Sequence, residues 1–97
     1  MFYHNYTESE GQKVLAVCDE ELLGEVLEDE KRSFEVKEGF YGQKRIDAEE
    51  LVEKAEKSSI INAVGPEAVS LLVENGFFEK DKVLKIDGVE HAQMARI

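Results

Sequence analysis

His91 and Gln93 are the residues of this 97-residue chain best suited to contact a ligand. They are two positions apart in a predicted strand, so their side chains would lie on one face. A histidine exchanges a proton near neutral pH, and an amide both donates and accepts hydrogen bonds. One hypothesis is therefore a small-molecule binder or enzyme that uses His91 and Gln93, with Asn62 or Tyr41 across a groove. The alternative is that His91 is a structural hydrogen-bonding residue, or that His91 and Gln93 lie on the solvent side of an edge strand.

Cys18 is a second candidate, because a thiol at the start of a helix can become a reactive thiolate. The acidic residues that follow it, Asp19 to Glu21, disfavour the thiolate, and no histidine is close in the sequence. We therefore predict that Cys18 is a buried packing residue.

Gly65-Pro66 could begin a helix whose free amides attract an anion. Pro66 removes one donor, Glu67 would repel the anion, and the chain has no glycine-rich phosphate-binding motif. Gly65 is therefore predicted to cap the helix or to allow close packing, with Asn62 holding the loop.

Phe40-Tyr41-Gly42 forms an aromatic segment whose local structure the sequence leaves open. It could be an exposed contact of the kind that anchors a partner, or an inward-pointing pair that seals the core. The sequence predicts no catalytic residue, no metal ligand and no cofactor. The candidate binding residues are His91, Gln93, Asn62, Gly65, Phe40, Tyr41 and Gly42.

The charge of the chain is strongly negative, with 22 acidic and 12 basic residues and a formal net charge of −10. Direct binding to nucleic acid is not expected, because such binding requires a basic surface. An acidic surface would instead recruit a basic protein partner. Nucleic-acid binding would need five basic residues to gather on one face: Lys31, Arg32, Lys37, Lys44 and Arg45.

Length and composition predict one globular domain over residues 1–97, with 42% hydrophobic residues. A single cysteine excludes an internal disulfide, and the longest apolar run, Val14 to Cys18, is too short to span a membrane. Since the first residues also lack a basic targeting region, we expect a cytoplasmic protein without a membrane partner. The oligomeric state stays open.

The first half of the chain predicts a hairpin of Phe2 to Thr7 and Gln12 to Val17, which should sit inside the sheet. Asp19 would cap a helix whose buried face carries Leu22, Leu23, Val26 and Leu27. Ser33 to Lys37 then alternates as a half-buried strand.

The second half predicts a helix from Ala48 to Lys57, capped by Asp47. Residues 60–64 are either a strand or a helical turn. A further helix begins at Pro66, with Gly76 as the left-handed residue after its end, and strands on either side of Asp87-Gly88 form a second hairpin. The fold class is α+β, as a single two-layer domain with a mixed or antiparallel sheet, hairpins at both termini and about three helices on one face.

Four segments together resemble a known family: Cys18-Asp19-Glu20-Glu21-Leu22-Leu23-Gly24, Phe40-Tyr41-Gly42, Asn62-Ala63-Val64-Gly65 and His91-Ala92-Gln93. The chain resembles the small archaeal proteins grouped as domain of unknown function 424. This resemblance implies an archaeal cytosolic protein of undetermined function, and it supplies no catalytic residues.

The leading functional hypothesis is a noncatalytic protein–protein interaction module. It is based on the acidic surface and the missing catalytic constellation. Its partner would be a basic component of archaeal information processing, such as a translation factor. The alternative is the binder or enzyme built around His91 and Gln93.

Overall fold

A mixed sheet of six strands lies at the centre of the fold in the computed structural model, which describes residues 1–96. The strands are β1 (Phe2–Ser9), β2 (Gln12–Asp19), β3 (Val26–Glu28), β4 (Ser33–Glu35), β5 (Lys44–Ile46), β6 (Ile60–Val64), β7 (Leu84–Ile86) and β8 (Val89–Ala95). The helices are α1 (Glu38–Tyr41), α2 (Ala48–Lys57) and α3 (Pro66–Glu74). The strand order is β5-β1-β2-β6-β8-β7, and β3 and β4 form a separate two-stranded sheet.

Both predicted hairpins are confirmed. Glu10-Gly11 joins β1 to β2 with φ angles of 51° and 80°, and Asp87-Gly88 joins β7 to β8 with φ angles of 54° and 76°. Two consecutive positive φ angles are typical of the type I′ turn, whose twist matches that of paired strands.

The strand β2 lies inside the sheet, between β1 and β6. Its unbroken apolar run is explained by burial on both faces, since Leu15 and Val17 pack in one core cluster while Ala16 and Cys18 pack in the other. Residues 60–64, whose state the sequence left open, form β6 and pair with β2 in parallel.

The helices α2 and α3 begin and end as predicted. The carboxylate of Asp47 accepts a hydrogen bond from the Glu50 N–H at 2.9 Å, which caps α2. At the end of α3, Gly76 has a φ of 82° and the Phe77 N–H donates to the Leu72 carbonyl at 2.9 Å, as in a Schellman motif. Both helices pack on the same face of the large sheet.

The predicted helix after Asp19 is wrong. A single 3-10 turn over Glu20–Leu22 is followed by Gly24, whose φ of 87° breaks the helical path, and the chain then forms β3. Val26 is 59% exposed and Leu27 only 6% exposed, so burial here alternates with the period of a strand. The apolar pairs Leu22-Leu23 and Val26-Leu27 match a helix only if Gly24 is ignored.

The other face of the large sheet is partly covered by β3, β4 and α1. Leu27, Val36 and Tyr41 from this layer pack against Ala16 and Cys18 of β2. Two helices therefore lie on one face and the short α1 on the other. The predicted α+β class with a mixed sheet is confirmed. Among residues 1–96, no helix is both long and apolar enough to cross a bilayer.

Asp19 connects the end of β2 to the start of α3. Its side chain is 2% exposed. Its two carboxylate oxygens accept hydrogen bonds from the N–H groups of Glu67 at 3.0 Å and Ala68 at 2.7 Å. Burial raises the pKa of Asp19 above its ordinary value, and these two hydrogen bonds offset part of that rise. Asp19 thus caps α3, and not the helix predicted to follow it.

Gly65 makes room for this carboxylate. A Cβ at position 65 would lie 2.6 Å from Asp19 Oδ1, and the φ of Gly65 is 116°, which side chains rarely adopt. The predicted close-packing role of Gly65 therefore has a defined partner. The anion considered for this helix start is supplied by the protein itself.

Replacing Gly65 with alanine should lower the free energy of unfolding by about 2 to 4 kcal/mol, because strain at a positive φ adds to displacement of a buried hydrogen-bonding group. Urea denaturation followed by circular dichroism measures the change.

Two other glycines separate these contributions. At Gly76 the φ angle is also positive, but no atom would contact an added Cβ. Gly76→Ala should therefore lower the free energy of unfolding by about 1 kcal/mol. Gly39→Ala has neither feature and should be neutral or slightly stabilising. Equal losses for Gly65→Ala and Gly76→Ala would show that the contact with Asp19 contributes nothing.

Cys18 should not react with thiol reagents in the folded protein. It is buried as predicted, and burial together with the neighbouring Asp19 raises its pKa to about 12. A disulfide reagent that releases a chromophore should label it only after denaturation, because the thiolate is the nucleophile. Rapid labelling under native conditions would contradict the described burial.

Candidate functional site

Four of the predicted binding residues line a single cleft of about 360 Å³: Tyr41, Asn62, His91 and Gln93. Phe34, Val64, Lys82, Leu84 and Ile86 line it as well. We call this cavity the His91 cleft. Its volume lies at the low end of the range observed for small-molecule sites.

The sheet forms the floor of the His91 cleft. The strands β6 and β8 are antiparallel, and their register places Asn62 opposite Gln93 and Val64 opposite His91. Directly opposed side chains share a face and lie about 5 Å apart at Cβ. The amides of Asn62 and Gln93 are therefore neighbours on adjacent strands. The His91 imidazole lies on the same face, two residues along β8.

Aromatic side chains from the covering layer form the wall. Phe34 of β4 meets the His91 ring edge to face, with ring centroids 4.7 Å apart and an angle of 87°. Tyr41 of α1 contacts Phe34 in the same manner at 6.3 Å. These contacts fix the orientation of the imidazole and the separation between the wall and the sheet.

His91 has a buried nitrogen without a partner. Its Nε2 atom is buried and makes no hydrogen bond to any residue within 1–96. Burial lowers the pKa of His91, and the nearby positive charge of Arg32 lowers it further, so the imidazole is neutral at pH 7. A neutral imidazole has one donor and one acceptor nitrogen, and an unpaired one costs free energy when buried.

Tyr41 stays protonated throughout the physiological range. Burial raises its pKa to about 12, with a smaller contribution from Cys18. The side chains of Tyr41, His91, Asn62 and Gln93 are thus all neutral hydrogen-bonding groups. Such a set can orient a polar ligand, and the imidazole can also accept a proton.

The aromatic segment divides between the two predicted roles. Tyr41 is 5% exposed and seals the core, while Phe40 is 44% exposed. Phe40 lines an adjoining cavity of about 500 Å³ that shares Phe34, Tyr41 and Asn62 with the His91 cleft. A Cβ at Gly42 would lie 2.9 Å from the Leu23 side chain, so Gly42 serves packing. Gly65 does not line the cleft.

Three carboxylates approach one another away from this cleft. Ligand oxygens of Asp19, Glu21 and Glu67 lie within 4.8 Å of each other and could face one cation. Both oxygens of Asp19 already accept backbone hydrogen bonds from α3. The geometry is accounted for by helix capping.

Phe34, Lys82 and Leu84 belong to the cleft and were missed from the sequence. Lys82 lies in a 3-10 turn and Leu84 on β7, so they reach the cleft only because β7 pairs with β8. Alternation did mark Phe34 as inward-facing, but no local pattern indicated that a strand outside the main sheet would oppose His91.

Two of the basic residues considered for nucleic-acid binding have other partners. The Arg45 guanidinium pairs with Glu20 at 2.6 Å, and the Arg32 guanidinium donates to the Lys85 carbonyl at 2.8 Å.

One comparison with known proteins identifies the family of this chain. The model of a family described as a protein of unknown function (DUF424) matches residues 6–97. The chain is also similar to a crystal structure of an uncharacterized conserved protein from Methanopyrus kandleri, with a TM-score of 0.80 and 30% identity over 99% of this chain and 93% of that one. No curated protein matches. The resemblance predicted from the sequence is confirmed, and the chain belongs to the DUF424 family.

Proposed function

We propose that this protein binds a small polar molecule in the His91 cleft. His91, Gln93, Asn62 and Tyr41 come from two strands and a helix and line one concave surface. Concave surfaces with aromatic walls and a few polar groups are typical of small-molecule sites. Of the two hypotheses drawn from the sequence, this geometry favours the binder.

The observation that carries the proposal is the buried, unpartnered Nε2 atom of His91. Proteins rarely leave a buried polar atom unpaired, because the lost hydrogen bonds to water are not replaced. A ligand that reaches Nε2 after a shift of the adjacent Phe34 ring would supply the missing partner. The amides of Asn62 and Gln93 would then hydrogen-bond to the rest of its polar edge.

Binding, and not catalysis, is the function proposed here. Among the described residues that line the cleft, His91 is the one whose side chain ordinarily exchanges a proton near neutral pH, and Phe34 packs edge-on against it. Cys18 is not among the residues that line the cleft, and its thiol is protonated.

His91→Phe should separate binding from stability. The substitution keeps an aromatic ring beside Phe34 and removes the unpaired nitrogen. We expect a free energy of unfolding that is unchanged or about 1 kcal/mol higher. Fragments from a small-molecule library that shift the side-chain amide resonances of Asn62 and Gln93 in the wild-type NMR spectrum should no longer do so.

Gln93→Ala should weaken the same fragments, and Gln43→Ala, at an exposed position outside the cleft, should leave them unchanged. Two results would contradict the proposal. One is the same set of fragments bound by wild type and His91→Phe. The other is a loss of more than about 2 kcal/mol of stability in His91→Phe, which would mark a structural histidine.

A second candidate function is the recruitment of a basic protein, such as a component of translation, through the outer face of α2. Glu49, Glu53 and Glu56 are exposed at helical spacing. Lys54 lies over the Tyr6 ring at 4.9 Å, and none of the α2 carboxylates forms an ion pair with another residue of the described chain. The exposed carboxylates of this face are therefore free of ion pairs within the described residues.

Changing Glu49, Glu53 and Glu56 to lysine should abolish binding to purified basic ribosomal proteins at low ionic strength. A control with the same change of charge, at Glu8, Glu10 and Glu28, should retain it. Surface plasmon resonance at about 50 and 300 mM salt measures both, because screening weakens contacts between exposed charges. Equal losses for the two variants would indicate a net-charge effect and remove this candidate.

A further inference from the structure

The charge lining the His91 cleft differs from that of the rest of the surface. The chain has 22 acidic residues among 97, yet none of the described residues that line this cleft is Asp or Glu. Three other surface cavities each carry at least one glutamate: Glu74 and Glu90, Glu35, and Glu67 with Glu74. The described lining of the cleft therefore presents no carboxylate to a negative ligand, and Glu35 lies in the adjoining cavity.

Positive charge lies at the same place. Among the described residues that line the cleft, Lys82 is the one with a charged side chain. Arg32 is held close by, because its guanidinium donates to the Lys85 carbonyl of β7, the strand that carries Leu84 into the cleft. The exposed ammonium of Lys82 favours one negative group on a ligand bound in the cleft.

The interior of the cleft favours a flat apolar body. Val64 and Ile86 are buried apolar residues that line it, and Phe34 stands at 87° to the His91 ring. Perpendicular rings of this kind accommodate another ring against a face or an edge. A volume of about 360 Å³ suits a compound with one or two rings.

We infer that the His91 cleft takes a planar aromatic compound with a single carboxylate. The ring lies against Phe34 and Tyr41, and its polar edge meets His91 and the amides of Asn62 and Gln93. The carboxylate lies toward Lys82. This inference rests on the proposed function and adds the chemical class of the ligand.

Three ring-matched probes test this class: nicotinate, nicotinamide and 3-(aminomethyl)pyridine, which carry a negative, no and a positive charge at pH 7.5. Each is titrated into isotopically labelled protein, and binding is followed at the side-chain amide resonances of Asn62 and Gln93. Nicotinate should bind about fivefold more tightly than nicotinamide, as expected for one partly exposed ion pair. The amine should bind most weakly.

Lys82→Met should reduce the affinity for nicotinate to that for nicotinamide. Lys80→Met is the matched control, because it removes the same charge two residues away, from a side chain that lines a different cavity. It should leave the nicotinate affinity unchanged. Equal effects of the two substitutions would overturn the inference, since the preference would then come from net charge alone.

Failure of the inference can be distinguished from failure of the proposed function. If the amide or the amine binds the cleft at least as tightly as nicotinate, the carboxylate class is wrong and the binding function stands. If none of the probes shifts the cleft resonances at millimolar concentration, the class is also wrong, and the fragment screen with His91→Phe decides the function independently.

Discussion

The rest of the structure depends on the hydrogen bonds from the start of α3 to the buried carboxylate of Asp19. They connect the end of β2 to the helix that follows its parallel neighbour β6. Asp19 ends β2, and α3 begins directly after the parallel neighbour β6. A parallel pair cannot be joined by a tight turn, so its register must be fixed by long-range contacts. The carboxylate supplies such a contact, and the absent side chain of Gly65 makes the approach possible. Charge-assisted hydrogen bonds at a helix start are among the stronger polar contacts in a small domain.

Register connects this cap to the cleft. Cys18 is paired with Val64, and the same pairing places Ala16 beside Asn62. The antiparallel partner β8 then brings Gln93 next to Asn62. A slip of one residue would turn these polar side chains toward α2 and α3 and place apolar ones in the cleft. The positions of the cleft residues are therefore set by the register of the sheet.

Local signals in the sequence were sufficient for the elements with local causes. The Asp87-Gly88 turn, the Asp47 cap and the Gly76 ending all depend on residues within one turn of each other, and all were predicted. The first hairpin was predicted too, but its turn is the two residues Glu10-Gly11 and the first strand continues to Ser9, beyond the predicted end at Thr7. The grouping of His91, Gln93, Asn62 and Tyr41 was also anticipated as a possibility. The shared face of one strand grouped His91 with Gln93, and Asn62 or Tyr41 was added across a groove without an argument from the strand pattern.

The features that the sequence did not predict depend on residues that are distant from one another in the chain. Asp19 stands before Glu20 and Glu21, which suit the first turn of a helix, but the N–H groups that donate to its carboxylate lie 48 and 49 residues further along the chain. The β3 strand escaped notice because its pairing with β4, rather than its own pattern, stabilises it. Lys82 and Phe34 reach the cleft through two separate sheets. No periodicity within one element reports such contacts.

The central claim is that His91 lacks a protein partner because its partner is a ligand. The most direct test is an atomic-resolution crystal structure of the protein purified from its native cells without denaturation. Our account predicts density for a non-protein molecule in the cleft, within hydrogen-bonding distance of His91 and Gln93. A cleft closed by Phe34, with His91 Nε2 bonded to a protein group, would contradict it.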